Sequence, residues 1–361
     1  MRPTLADSLQ VLIPNLSPVL VSESSAQKLI EMARALPPIV NGLIECRLSD
    51  NTLQADLSQQ ILTDNEEPDI LMNHIIGSGL SGSPKWAGIH KLCSQWQEQS
   101  SSIHDAVDSI LFEIDADAPA CRPRLPSVFL RLKIDGLTAE KQSALDEGLQ
   151  IQFGAPGPFP WQDVLHRCFT FDEARLIYIG AMLARKTETL RVEFIPQSSG
   201  CIIPLLKHIG WSWDEGKLKA LIEQLDHLGV YINLVHVDIG SVIRPKIGLS
   251  CLSREGPDRR PNWPFLLDHL VEAGLCSPDK RDGVLAWEGF TEPTSCPVPW
   301  PSYIISQSLL QPDLLSIFER DISHVKFIYR PEMPLEAKAY LRFNHRWLKP
   351  EECFSVANNV R

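Results

Sequence analysis

Apolar and polar positions alternate in short stretches that come in neighbouring pairs, each pair joined by turn residues and followed by apolar positions at helical spacing. Five such pairs run along the chain. The first is LIECRLS, a turn at Asp50-Asn51, and TLQADLS; the second is ILFEIDADA, a Pro-rich connection through Pro126, and SVFLRLKI. ARLIYIGAMLA and TLRVEFI form the third around Lys186 and Thr187, YINLVHVDI and PKIGLSCL the fourth across Gly240, and HVKFIYR and AKAYLRFNH the fifth between Pro331 and Pro334. The pairs begin near residues 43, 110, 175, 231 and 323, which leaves room for one or two helices after each.

Helical period fills the intervals. CIIPLLKHIGW and DEGKLKALIEQLDHLG read as helices stopped by Gly210 and Gly229. PNWPFLLDHLVEAG, SPDKRDGVLAWEGF and IISQSLLQPDLLSIFERD carry the same period, the last interrupted by Pro312. The interval 289–302, GFTEPTSCPVPWPS, reads as a long surface loop. The expected organisation is an N-terminal helical segment over 1–40, one ββαα-repeat domain over 41–348 and a C-terminal tail over 349–361.

The alternation also predicts how the strands close. In SVFLRLKI, Val128, Leu130, Leu132 and Ile134 share one face, while Arg131 and Lys133 share the other. Leu190, Val192 and Phe194 likewise oppose Arg191 and Glu193, and Ile247, Leu249 and Cys251 oppose Lys246, Gly248 and Ser250. In the last stretch Ala337, Ala339, Leu341 and Phe343 oppose Lys338, Tyr340 and Arg342. One face of every strand therefore needs a helical cover, and the other gathers polar groups. Ten antiparallel strands satisfy both demands, and lose their open edges, by closing into a barrel with helices outside and a polar lumen inside. The predicted class is α+β, a ten-stranded antiparallel barrel of five ββαα repeats.

Composition narrows what such a lumen serves. The 361 residues hold 34 Lys and Arg against 45 Asp and Glu, a net charge of −11, so the chain as a whole repels nucleic acid and anionic membrane. An anion site must then be a local gathering of basic groups. No run of 18 apolar residues is present, and the opening sequence lacks the pattern of a secretory signal. Nine scattered cysteines without a CxxC pair read as reduced thiols, and a cytoplasmic protein is expected.

The ββαα order around ten antiparallel strands resembles that of the ABBA-type prenyltransferases, whose barrel holds an isoprenoid diphosphate and an aromatic acceptor. The resemblance is architectural and spans roughly residues 40 to 348. It implies that Lys338-x-Tyr340-x-Arg342 and Arg131-x-Lys133 grip the diphosphate, joined by Lys246 and Arg191 on equivalent faces and by Lys326. The tyrosines that shield the carbocation in that family are not evident here, because the chain has only five Tyr.

Ionising an allylic diphosphate calls for fixed positive charge at the leaving group and π faces at the cation. The basic residues meet the first requirement, with Tyr340 as a hydrogen-bond donor. Glu45, Glu113, Glu193 and Asp238 share the polar faces, and Glu113, Glu193 and Asp238 are the candidate catalytic acids and bases. Without a DDxxD-like cluster, no metal site is expected and magnesium is not required or only weakly so. His236, beside Asp238, and Trp300, in the Pro-rich loop, are the candidate acceptor contacts. The transferred group would go to an aromatic or other nucleophilic side chain of a small molecule or peptide.

A second reading treats the same charges as internal ion pairs, Lys246 with Asp238 among them, in a non-catalytic protein that binds a peptide or partner. Other motifs carry little. Gly77-Ser78-Gly79-Leu80-Ser81-Gly82 spells GxGxxG without the acidic residue that a dinucleotide site needs, and reads as a linker. The ten histidines show no metal spacing. Cys46, Cys201 and Cys251 read as small core residues, and Arg254, Arg259 and Arg260 make at most a loop patch.

Overall fold

Most barrel strands are buried on both faces, the outer one under helices and the inner one around the lumen, and the alternation decides which side chain takes which face. A computed structural model describes residues 4–49, 51–63, 66–117, 124–133, 138–154, 157–185, 188–253 and 261–349. Its strands are β1 (Asn41–Arg47), β2 (Ala55–Leu62), β3 (Val107–Ile114), β4 (Ser127–Leu132), β5 (Ala174–Ala181), β6 (Leu190–Pro196), β7 (Tyr231–Ile239), β8 (Ile243–Leu252), β9 (Gly289–Thr291), β10 (Leu315–Tyr329) and β11 (Glu336–Leu348). Each pairs antiparallel with its neighbour from β1 to β8; β8 pairs with β10, β10 with β11, and β11 returns to β1. Ten strands therefore close into a barrel. The three-residue β9 pairs with β10 along the edge that β8 uses, beyond the end of β8.

Helices Glu67–Gly77 and Pro84–Gln97 follow the first hairpin, Ala139–Phe153 and Gln162–Phe169 the second, Ile202–Ile209 and Gly216–His227 the third, and Trp263–Glu272 and Pro278–Leu285 the fourth. Leu5–Leu12 and Glu23–Ala33 precede the first hairpin and complete the coat, with Leu5, Leu9, Leu29 and Met32 fully buried. The core lies between barrel and helices. Ile44, Leu57, Ile110, Leu130, Val192, Val237, Leu249 and Leu341 face it from the strands with no exposed surface, and each such side chain stabilises the fold by about 1.5–3 kcal/mol.

The fifth hairpin departs from the expected boundaries. Its first strand begins at Leu315 rather than near residue 323, so the stretch LLSIFERD, read as helix, is mostly strand. Helix Ser302–Leu310 stops just before Pro312, and from there Phe318, Arg320 and Ile322 are buried at period two. Local apolar spacing in this stretch fits both periods, and pairing with β11 decides for the strand. The Pro-rich interval likewise contains β9, and β5 ends at Ala181 rather than continuing through Ala184. The GxGxxG stretch joins two helices, with Gly79 at φ 66°. Ile134, Arg254, Arg259, Arg260 and the tail beyond Lys349 lie outside the described residues.

Candidate active site in the barrel lumen

Strand alternation that sends Leu and Val outward sends Glu45, Glu113, Arg191, Glu193, His236, Asp238, Lys246, Lys326, Lys338 and Tyr340 inward, where cross-strand register sorts them into groups. Arg191 lies opposite Asp238 and binds it with Nε–Oδ1 at 2.7 Å. Lys246 Nζ reaches the same carboxylate at 3.0 Å and Arg185, from the turn after β5, at 3.5 Å. Three cations thus converge on Asp238, whose burial opposes ionisation but whose cations, Arg191 first, hold it well below the usual carboxylate range. Burial brings Lys246 down to about 8.

Glu113 sits beside this group, and its carboxylate has only distant cations, Arg185 at 3.8 Å and Arg191 at 4.0 Å. Arg185 is drawn more closely to Asp115, at 3.2 Å. Burial, together with the charge of Asp115, lifts Glu113 to about 7. Two strands away Glu45 faces Tyr340 in register and accepts hydrogen bonds from the Tyr340 hydroxyl and from Lys338. Its burial opposes ionisation, yet Lys338 and Lys326 hold Glu45 well below its ordinary value.

On the third wall Glu193 Oε1 lies 2.8 Å from His236 Nδ1, and His236 Nε2 lies 2.8 Å from Ser250 Oγ. Burial takes His236 to about 4, so its ring is neutral at neutral pH, while His236 holds Glu193 near 2 against the cost of burial. Between the three groups stands Lys326, 5% exposed and without an ion-pair partner among the described residues. Its ammonium lies 5.8 Å from the centre of the Tyr340 ring, on which the His324 ring stacks at 4.1 Å. Gly248 makes room for it: a Cβ there would lie 2.7 Å from Lys326 Cε. Burial and Arg191 bring the Lys326 ammonium down to about 8.

Toward the opposite end the inward positions change character. Leu43, Leu111, Ile195 and Leu234 point inward, are partly exposed and stand apart from the packed core. The lumen is therefore densely charged at one end and lined beyond it by these apolar side chains, with Phe129 buried between them and the Arg191 guanidinium 6.0 Å from its ring centre.

The residues expected to grip a diphosphate do not all meet. Arg191, Lys246, Lys326, Lys338 and Tyr340 share the charged half. Arg131, bound to Asp108 at 2.8 Å, and Arg342, bound to Asp321 at 2.8 Å, stand at the far rim with Lys133, too far along their strands to join them. The candidate acids and bases Glu113, Glu193 and Asp238 all face the lumen.

Of the two candidate acceptor contacts, one lies away from the lumen. Trp300 is 8% exposed, donates its ring N–H to Ser316 and packs on Phe318 at 5.0 Å, outside the barrel wall, because the Pro-rich loop folds onto the outer face of β10. His236 does line the lumen, but its partners are Glu193 and Ser250, not Asp238, because Asp238 is two residues along and taken by Arg191.

Arg185, Asp115, His324, Ser250 and Phe129 add to the site beyond those expectations. Ser250 and His324 lie on the polar faces that the alternation marks, two residues from Cys251's neighbour Leu252 and from Lys326 respectively. Arg185 sits in a turn, where no period points inward. Among the described residues no three His, Cys, Asp or Glu side chains gather to hold a metal ion, and no helix is long and apolar enough to cross a membrane.

No protein-family model matches the chain, and no curated protein matches it in sequence. Its fold is nevertheless that of solved prenyltransferases. Prenyltransferase PriB in complex with product diphosphate is similar over 94% of this chain and 96% of its own, at a TM-score of 0.53 and 10% identity. The 5-dimethylallyltryptophan synthase from Streptomyces coelicolor is similar over 94% and 98%, with TM-score 0.53 and 9% identity. AnaPT from Neosartorya fischeri is similar over 94% and 91%, with TM-score 0.52 and 12% identity. The chain has the closed ten-stranded PT-barrel of the ABBA prenyltransferases.

Proposed function

We propose that the lumen binds an allylic isoprenoid diphosphate and transfers its allylic group to an aromatic or other nucleophilic group of a small molecule or peptide. The observation that carries this reading is the lumen's division into a densely charged half, where Lys326 has no ion-pair partner among the described residues, and a stretch beyond it lined by Leu43, Leu111, Ile195 and Leu234. A diphosphate ester has the same two halves. Lys326, Arg191, Lys246 and Lys338 meet the negative charge of the leaving group through their own side chains, without a required magnesium ion. The stacked His324 and Tyr340 rings, with Phe129, offer π faces to the developing cation. PriB, which shares the fold, has been crystallised with product diphosphate. Among the described residues seven cysteines are unpaired thiols, six of them buried, which fits a cytoplasmic setting.

A second reading, a binding protein without chemistry, is favoured by one feature: Lys338, Arg191, Lys246, Arg131 and Arg342 already hold carboxylates. Thermal unfolding with dimethylallyl, geranyl or farnesyl diphosphate, or with inorganic pyrophosphate, separates the two, with and without magnesium. A ligand at 100 times its dissociation constant adds about 2.7 kcal/mol. Stabilisation that depends on chain length and is lost in Lys326→Met supports transfer chemistry; no stabilisation by any of the four refutes it.

A further inference from the structure

Glu113 is the carboxylate in the lumen that the network leaves under-bonded. Among the described residues it makes no hydrogen bond, its two guanidiniums stand 3.8 and 4.0 Å away, and each is closer to another carboxylate, Arg185 to Asp115 and Arg191 to Asp238. Directly opposite it on β4 is Ser127, whose buried hydroxyl has no partner. Among the described residues the wall thus gives the Glu113 carboxylate neither a close cation nor a hydrogen-bond donor, which favours its neutral form.

The groups that face it are Asp115 just past the end of its strand, Glu45 from β1, Arg185 after β5, Arg191 from β6, Lys326 from β10 and Tyr340 from β11. A multivalent anion seated among Lys326, Arg191 and Lys246 adds negative charge here and competes for the arginine that now faces Glu113. Both effects drive a proton onto the carboxylate.

We infer that binding of the diphosphate loads Glu113 with a proton, and that Glu113 then acts as the general acid for the leaving group. The inference rests on the reading of the lumen as a diphosphate site. In the step, the allylic C–O bond breaks with its electron pair on the diphosphate oxygen, which takes the Glu113 proton. The allylic cation bonds to the acceptor, and the proton that the acceptor expels returns to the Glu113 carboxylate. Glu113 ends the cycle as it began, with no other acid or base consumed. Its position near 7 before binding means that a modest added field suffices.

Titration calorimetry of the full chain with inorganic pyrophosphate, in buffers of different ionisation enthalpy at pH 8, tests the loading. Wild type should take up roughly half a proton or more per pyrophosphate beyond Glu113→Gln, the ligand's own protonation being common to both. The infrared difference spectrum of wild type should gain a protonated-carboxyl band on adding pyrophosphate, a readout that needs no variant. Binding with equal proton uptake in both proteins, or without the infrared band, overturns the inference and leaves the diphosphate site standing. No binding of pyrophosphate by wild type overturns both.

Discussion

Replacing Lys338 by Met removes the closest cation of Glu45 while keeping the length and packing of the side chain. Glu45 and Lys338 have side chains only 9% and 19% exposed, so the stranded carboxylate cannot turn to water. Breaking a buried pair from one side costs about 3–5 kcal/mol, because the remaining charge keeps its desolvation penalty without its partner. For 361 residues the unfolding entropy is about 0.8 kcal/mol/K, so Tm should fall by about 4–7 °C. Adding Glu45→Gln to Lys338→Met removes the stranded charge, and the double variant should recover at least about 2 kcal/mol of the summed single losses. Denaturant unfolding of wild type, both single variants and the double variant measures this coupling. Single losses that simply add, within about 0.5 kcal/mol, would refute the pairing and leave Lys338 free for a ligand.

Other perturbations test separate parts of the picture. Because the folded protein holds Glu113 near 7 against an ordinary 4.5, its charged form weakens the fold: stability falls as pH rises from about 4.5 through 7. Glu113→Gln should therefore be more stable than wild type above pH 7, by up to about 3 kcal/mol, and the gap should close toward pH 4.5; a gap that does not vary with pH contradicts this. Gly180→Ala would place a Cβ 2.1 Å from the buried Phe129 ring, and should cost about 1–3 kcal/mol in urea unfolding. Trp300→Phe should lose about 1 kcal/mol with its hydrogen bond to Ser316 and leave the pyrophosphate Kd unchanged; a weakened Kd would place the loop at the lumen after all.

The sequence by itself determined the barrel. Period-two alternation in the paired stretches names the outward and inward faces, since a strand with one face against helices and the other against a polar lumen must alternate, and the turn residues mark the hairpins. Strand β10 begins earlier than its local pattern indicates, because a stretch with apolar residues at both spacings is settled by its partner strand. Alternation also marked Glu113, Glu193, Asp238, Arg191, Lys246, Lys326, Lys338 and Tyr340 as lumen residues.

Tertiary structure alone decided which of them meet. Register sets Arg191 against Asp238 and Glu45 against Tyr340, and position along the strand sends Arg131, Lys133 and Arg342 to the other rim. Arg185 reaches Asp238 from a turn, and Trp300 folds away from the lumen. The physical reason is that a strand's pattern fixes which face a side chain takes, whereas the charge it meets depends on pairing between residues as far as 295 positions apart in the chain.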